Sequence, residues 1–220
     1  MPVPVLYIVG AVLNAMLLLL PLALADQPGR TLGAPLVIFL VLATAFFLTD
    51  ATTVAHKGAT YQAARADRRF SYLALLTGVL ILDTFWICVG EQALRGEGEF
   101  NWLNQAGGVM MLCGIFLRYN AIRTLGSLFG NRITVCCDQP LIRTGIYGFL
   151  RHPSETGLLL VALGAGGLLG SPWGAALVTI GLAPIVLWRV SLEDRQLETA
   201  FGEQFRMYRR RVQALVPFVY

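Results

Sequence analysis

The sequence predicts an all-α integral membrane protein with about six transmembrane helices, the last two a helical hairpin, plus a C-terminal amphipathic cytoplasmic helix. Three observations predict it. Of 220 residues, 56% are hydrophobic and only 14% charged, where a soluble domain carries roughly 25% charged. The apolar residues gather in runs close to the ~20 helical residues that cross a bilayer. The basic residues then divide unequally between the two sides.

The first run is Pro2 to Ala25. Its end, Ala23-Leu24-Ala25, has the small residues of a signal-peptidase site, but no positive charge precedes it and it outruns a signal core, so a retained helix is expected. Further spans are predicted at about 32–48, 70–90 and 100–117. A polar stretch, 118–151, follows. Thr156 to Trp188 holds no charge and is too long for one crossing, and Gly170-Ser171-Pro172 breaks it into a tight hairpin.

This arrangement places fifteen of the seventeen basic residues on one side and only Arg30 and Arg95 on the other. By the positive-inside rule the first side, with both termini, is cytoplasmic. One lysine, Lys57, stands against sixteen arginines, and that skew with abundant Ala, Gly and Leu points to a GC-rich bacterial genome and hence to the cell (inner) membrane. The net charge of +4 is dispersed over membrane flanks, so membrane lipids and not nucleic acid are the expected partners. Cys88, Cys113, Cys136 and Cys137 lack metal-ligand spacing and are read as reduced thiols; no metal is expected.

Beyond Trp188, Leu197, Phe201, Phe205, Tyr208, Val212 and Leu215 recur every three or four residues, one apolar stripe of an amphipathic helix. Its simplest placement is on the cytoplasmic membrane surface, which also lets it help close a site. Residues 1–102 carry no motif and form an N-terminal unit of three spans. The functional core is expected in 103–220.

Two polar clusters stand in that core. The first is Gly145 to Gly157, containing Tyr147, Arg151, His152, Pro153, Ser154 and Glu155. Pro153 suits the first position of a helix, where its missing N–H costs nothing. The backbone donors that follow His152 would seat an anion. The plainer alternative is that Arg151 marks the membrane boundary and His152 caps the helix. The second cluster is Arg189, Glu193, Asp194 and Gln196; Arg189 and Glu193 are i and i+4, on one helical face, as a simple ion pair would be.

Together the clusters resemble the isoprenylcysteine carboxyl methyltransferase family, whose general plan phospholipid methyltransferases share. The resemblance rests on G-I-Y, then R-H-P-S with Gly157, E-D-x-x-L from Glu193, F-G-E-Q-F-x-x-Y from Phe201 and R-V-x-x-L-x-P from Arg211. It covers roughly 118–220. It implies S-adenosyl-L-methionine as methyl donor in an enclosed cytoplasmic pocket, and an apolar or lipidic small-molecule acceptor arriving from the bilayer. Position by position, Gln139, Pro140, Leu141 and Ile142 match a donor-contacting segment and Tyr147 a donor-contacting aromatic. Arg151, His152, Pro153, Ser154 and Glu193 match donor-binding positions, and Arg189 an arginine on the acceptor side. The family usually has Tyr where this chain has Glu155. A carboxylate there could draw the sulfonium or take a proton from a thiol or amine, which makes Glu155 a candidate catalytic residue with Arg189. Two other readings remain open: an NADPH-dependent membrane reductase of the sterol-reductase type, and a non-enzymatic channel or transporter using Asn14, Asp50 and Asp83.

Overall fold

The computed structural model describes residues 34–55, 68–95, 100–128 and 140–216. The expected first span, Gln139 and the Cys136–Cys137 pair fall outside them. Among the described residues the protein is helical, and its single β-type contact is an isolated parallel bridge between Leu150 and Gln213. The helices are α1 (Ala34–Ala55), α2 (Arg68–Arg95), α3 (Trp102–Leu125), α4 (Pro153–Leu168), α5 (Pro172–Phe201) and α6 (Glu203–Arg211).

Local chemistry sets the boundaries. Asn101 caps α3: its side chain accepts from Leu103 N and Asn104 N, while the Asn104 side chain accepts from Asn101 N at 2.9 Å. Pro153 and Pro172 open α4 and α5. The predicted hairpin break is where the chain turns, with Gly170 at φ 62° and Ser171 accepting from Gly174 N. Inside α5, Val178–Leu182 adopts a π-helical turn just before Pro184, which has no N–H to give to the α-helical ladder. The expected amphipathic helix is divided: α5 runs on to Phe201, and Gly202 at φ 53° separates it from α6.

The stripe of α6 does not lie open to a membrane surface. Phe205, Tyr208 and Val212 are buried together, with Leu141, Leu197 and Phe201 packed on them. Arg206, Arg209, Arg210 and Arg211 form the outer face.

The main core runs from Phe39 and Phe46 on α1 through Phe85 on α2 and Met111 on α3 to Val161 on α4 and Val186 on α5. Phe39 and Phe85 meet edge to face at 5.1 Å. The outward faces are apolar too: Val41, Phe116 and Ile180 are 63%, 67% and 78% exposed. Water would penalise such a surface and lipid would not. Exposed Trp102 and Trp173 mark one end of the bundle, and exposed Tyr119 and Trp188 the other. Trp102 and Tyr119 on α3, and Trp173 and Trp188 on α5, are separated by 17 and 15 helical residues, about 22–26 Å at 1.5 Å per residue, close to the spacing of aromatic belts at the two faces of a bilayer. Among the described residues one helix, Pro172–Phe201, is long and apolar enough by itself to cross a membrane.

The closest packing is between α3 and antiparallel α4. A Cβ on Gly114 would sit 2.6 Å from the Gly157 carbonyl oxygen, and one on Gly164 2.6 Å from Met111 N. Gly107 faces the Gly167–Leu168 backbone more closely still. Buried Asn104 ties the far ends, donating to Leu168 O at 2.9 Å. Gly114→Ala is therefore expected to cost at least the ~1–3 kcal/mol of overpacking. Gly78→Ala, where nothing lies within 4 Å of the new methyl, should gain ~0.5–1 kcal/mol of helix propensity. Melting both variants in one detergent checks the contrast, and an undiminished Gly114→Ala stability contradicts it.

Candidate active site

The α3–α4 seam ends in a buried polar contact. Arg118, on the last turns of α3, donates to Ser154 Oγ at 2.8 Å and lies 5.6 Å from the Phe46 ring centre. Just before α4 the backbone runs beside the segment after α6: Arg151 N donates to Gln213 O at 2.8 Å and His152 N to Ala214 O at 3.0 Å. Thr156 Oγ1 adds a bond to Leu215 O. Tyr208 OH donates to Tyr147 O at 2.6 Å, fixing the 3-10 turn Gly145–Gly148 to α6. The start of α4 is thus held by α3 on one side and by the C-terminal strap on the other.

His152 occupies the N-cap position, yet its side chain makes no capping bond. It turns instead between two carboxylates of α5, with Nδ1 3.2 Å from Glu193 and Nε2 2.9 Å from Asp194. Arg151 reaches Asp194 at 2.6 Å. Arg189 reaches Glu193 at 3.0 Å, the expected i,i+4 pair, and Glu155 at 3.5 Å. Arg151, Asp194, His152, Glu193, Arg189 and Glu155 therefore form one chain of alternating charge. All six side chains are at most 16% exposed.

Both His152 nitrogens face carboxylates, so both must carry protons to bond them. Burial alone would lower the His152 pKa. The hydrogen bonds and charges of Asp194 and Glu193 outweigh it and raise the value from 6.5 to about 9. With the ring cationic, three positive and three negative groups balance. Tyr147, buried beside this network, has its phenol pushed upward, by burial first and then by the charge of Glu193. Two buried polar atoms, Glu155 Oε2 and Arg151 Nε, have no hydrogen-bond partner among the described residues.

Of the residues expected at a site, Arg151, His152, Glu155, Arg189 and Glu193 meet in one cluster. Ser154 is bonded to Arg118, and Pro153 supplies the helix start. Leu141 packs against the Phe205–Tyr208–Val212 group, while Pro140 is exposed. The plain alternatives for His152 and Arg189 are too small. His152 is no simple cap, and the Arg189–Glu193 pair continues into two more carboxylates. Sequence reasoning gave no role to Asp194, which holds both Arg151 and His152, and counted Arg118 only among the fifteen basic residues on one side.

Residues 108–199 match the isoprenylcysteine carboxyl methyltransferase (ICMT) family. Over this stretch the chain is similar to that family. The stretch contains the α3–α4 seam except Asn104 and Gly107, and every member of the charge chain. Similar curated proteins include protein-S-isoprenylcysteine O-methyltransferase B of Arabidopsis thaliana, 32% identical over 120 residues, covering 54% of this chain and 61% of the relative. The protein-S-isoprenylcysteine O-methyltransferase of Tribolium castaneum is 31% identical over 127 residues, covering 56% and 45% respectively. The chain thus matches about three fifths or less of these relatives' length. A solved structure of the eukaryotic intramembrane Ras methyltransferase ICMT superposes with a TM-score of 0.61 over 94% of this chain and 74% of the other, at 21% identity. The shared fold therefore extends beyond the stretch that matches in sequence, into α1 and α2.

The His152 cation has a consequence for stability. Its folded pKa lies above its unfolded value, so its contribution is fully present below about pH 6.5 and is lost as pH rises through about 9. The melting temperature should fall across that window, and the fall should be much smaller in His152→Asn. Equal slopes for the two proteins would show that the ring is not charged in the folded state.

Proposed function

We propose that this protein transfers a methyl group from S-adenosyl-L-methionine to a small or lipidic acceptor at the cytoplasmic face of the membrane. The observation that carries the reading is the buried, charge-balanced cluster, built from family-matched residues at the bundle end marked by Tyr119 and Trp188. Its residues fit such a donor. Buried Arg151 Nε lacks an acceptor. S-adenosyl-L-methionine brings an ammonium, a sulfonium and a carboxylate.

Arg151, His152, Pro153, Ser154 and Glu193 would hold the donor, with Tyr147 and the segment Gln139, Pro140, Leu141 and Ile142 beside it. Arg189 and Glu155 face the acceptor. The donor supplies a methyl on a sulfonium, which is already an activated leaving group. What remains for the protein is alignment and exclusion of water, and a rigid buried network suits both. The relatives are named for S-isoprenylcysteine, and an apolar acceptor entering from the bilayer accords with the lipophilic outer faces of α1, α3 and α5. The reductase and transporter readings have no observation in their favour.

The six-span topology belongs to this proposal. Residues 1–102 form an N-terminal unit without a motif, 103–220 carry the donor site, and the fifteen-to-two division of basic residues puts both termini in the cytoplasm. A reporter fused after Tyr220 should work only inside the cell; activity only outside would overturn the orientation.

The donor is tested by ligand-dependent melting of the full chain in detergent. S-adenosylhomocysteine at 100 times its Kd should add about 2.7 kcal/mol of stability, and NADPH and NADH should add none. Glu193→Gln should weaken the S-adenosylhomocysteine effect. Stabilisation by NADPH alone would replace the methyltransferase with a reductase.

A further inference from the structure

We propose that the N-terminal segment Pro2–Ala25 packs as a helix on the outward face of α2, with Asn14 hydrogen-bonded to Asp83 inside the bilayer. Asp83 is the one charged side chain between Arg69 and Glu91, well within the apolar length of α2. It is exposed, and no described residue offers it a hydrogen bond or ion pair. Its neighbour Thr84 is buried and bonds inward to Leu80 O at 2.8 Å. Leu76 and Val79, three and four residues apart along the stripe that ends at Asp83, are exposed as well. An ionisable side chain at such depth is costly in hydrocarbon and faces protein or water instead. The apolar flanks of Leu76 and Val79 leave no polar path for water, so a further helix is needed to cover this face.

The chain outside the described residues supplies one. Pro2–Ala25 has 24 residues, enough to cross the hydrocarbon. Nine residues lead from Ala25 to Ala34, where α1 begins, a reach of at most about 30 Å. α1 itself packs on α2 through Phe39 and Phe85. From Ile8 to Ala25 the only side chain bearing an N–H or O–H is that of Asn14. In the alternating topology proposed above, on which this step rests, the segment and α2 run in the same direction. Asn14 then stands 12 residues from Pro2 and Asp83 stands 13 from Phe70, about 18 and 20 Å into their apolar stretches. The two polar groups therefore share one depth, and an amide N–H donates to a carboxyl oxygen. A second copy paired through α2 about a twofold axis would set Asp83 against its own counterpart, with no amide to donate.

Cysteine cross-linking of the full chain in membranes tests the contact. Gly10 and Val79 stand about one helical turn before Asn14 and Asp83, so Gly10→Cys with Val79→Cys leaves both polar residues in place. Oxidation with copper phenanthroline should join positions 10 and 79 within one chain, read as a monomer-sized product whose linked peptides are identified by mass. Val12→Cys, about 200° around the helix from Gly10, should link to Val79→Cys several-fold less. A dimer-sized product joined 79 to 79 would assign the face to a second copy and overturn the proposal, as would the absence of any 10–79 link. A second measurement covers variants that fail to fold. Asn14→Leu should lower the melting temperature in lipid nanodiscs, and adding Asp83→Leu should recover most of that loss; a loss that the second change does not relieve overturns the pairing. A reporter inserted after Pro28 separates the contact from the topology. It should work only outside the cell, and activity inside removes both. A missing link with the reporter outside removes the contact alone.

Discussion

The backbone contact between α3 and α4 is the constraint on which the rest depends. Gly107 and Gly114 on one helix, and Gly157 and Gly164 on the other, are each seven residues apart, two turns of helix on one face. They let the backbones approach until a single added carbon would collide. In a lipid environment helices gain little from hydrophobic burial against one another, so close van der Waals contact between small residues takes its place. The seam also fixes register. Asn104 finds the α4 carbonyls at one end only if Arg118 meets Ser154 at the other. A slip of one residue would break both polar contacts and carry the glycines off the shared face.

Register in turn determines what happens at the start of α4. Three cations and three anions are buried there, and an isolated buried charge costs several kcal/mol. The arrangement is tolerable because each ion touches an opposite one, and because each partner comes from a different turn of chain. Arg151, His152 and Glu155 stand on α4 or just before it; Arg189, Glu193 and Asp194 stand on the last turns of α5. Removing one member strands its neighbours. The network therefore locks α4 to α5 while the strap after α6 holds the preceding backbone, and the placement of the six charged side chains follows from these two attachments.

Much of this was legible in the sequence, for identifiable reasons. Proline at a helix start and a Gly-Ser-Pro break are local signals, so the beginnings of α4 and α5 could be read directly. The i,i+4 spacing of Arg189 and Glu193 is local as well. The role of Asp194 was hidden because it lies about 100° around the helix from Glu193, on a different face by any periodicity argument. It joins the site only because the His152 ring spans both neighbours. Arg118 was hidden by distance: 36 residues separate it from Ser154, and nothing short of the glycine seam relates them. The inward turn of the α6 stripe was equally invisible, since an apolar face looks the same whether lipid or Leu141 and Leu197 covers it. Gly202 lies within the F-G-E-Q-F motif, where the apolar periodicity continues on both sides and conceals the break in the helix.

The position of the cluster relative to the bilayer gives the last constraint. Trp188 immediately precedes Arg189, and Tyr119 immediately follows Arg118, so the aromatic ring that marks the membrane edge and the first buried charge are adjacent on both helices. Within one turn of α5 the surroundings change from hydrocarbon to ion pairs. On the proposed function, a polar donor is held from the aqueous side while an apolar chain remains in lipid, and neither is transferred into the other's solvent. What would otherwise be a desolvation cost for the acceptor's tail becomes no transfer at all. On the proposed function, binding then depends on how the head group is accommodated among the charges between α4 and α5.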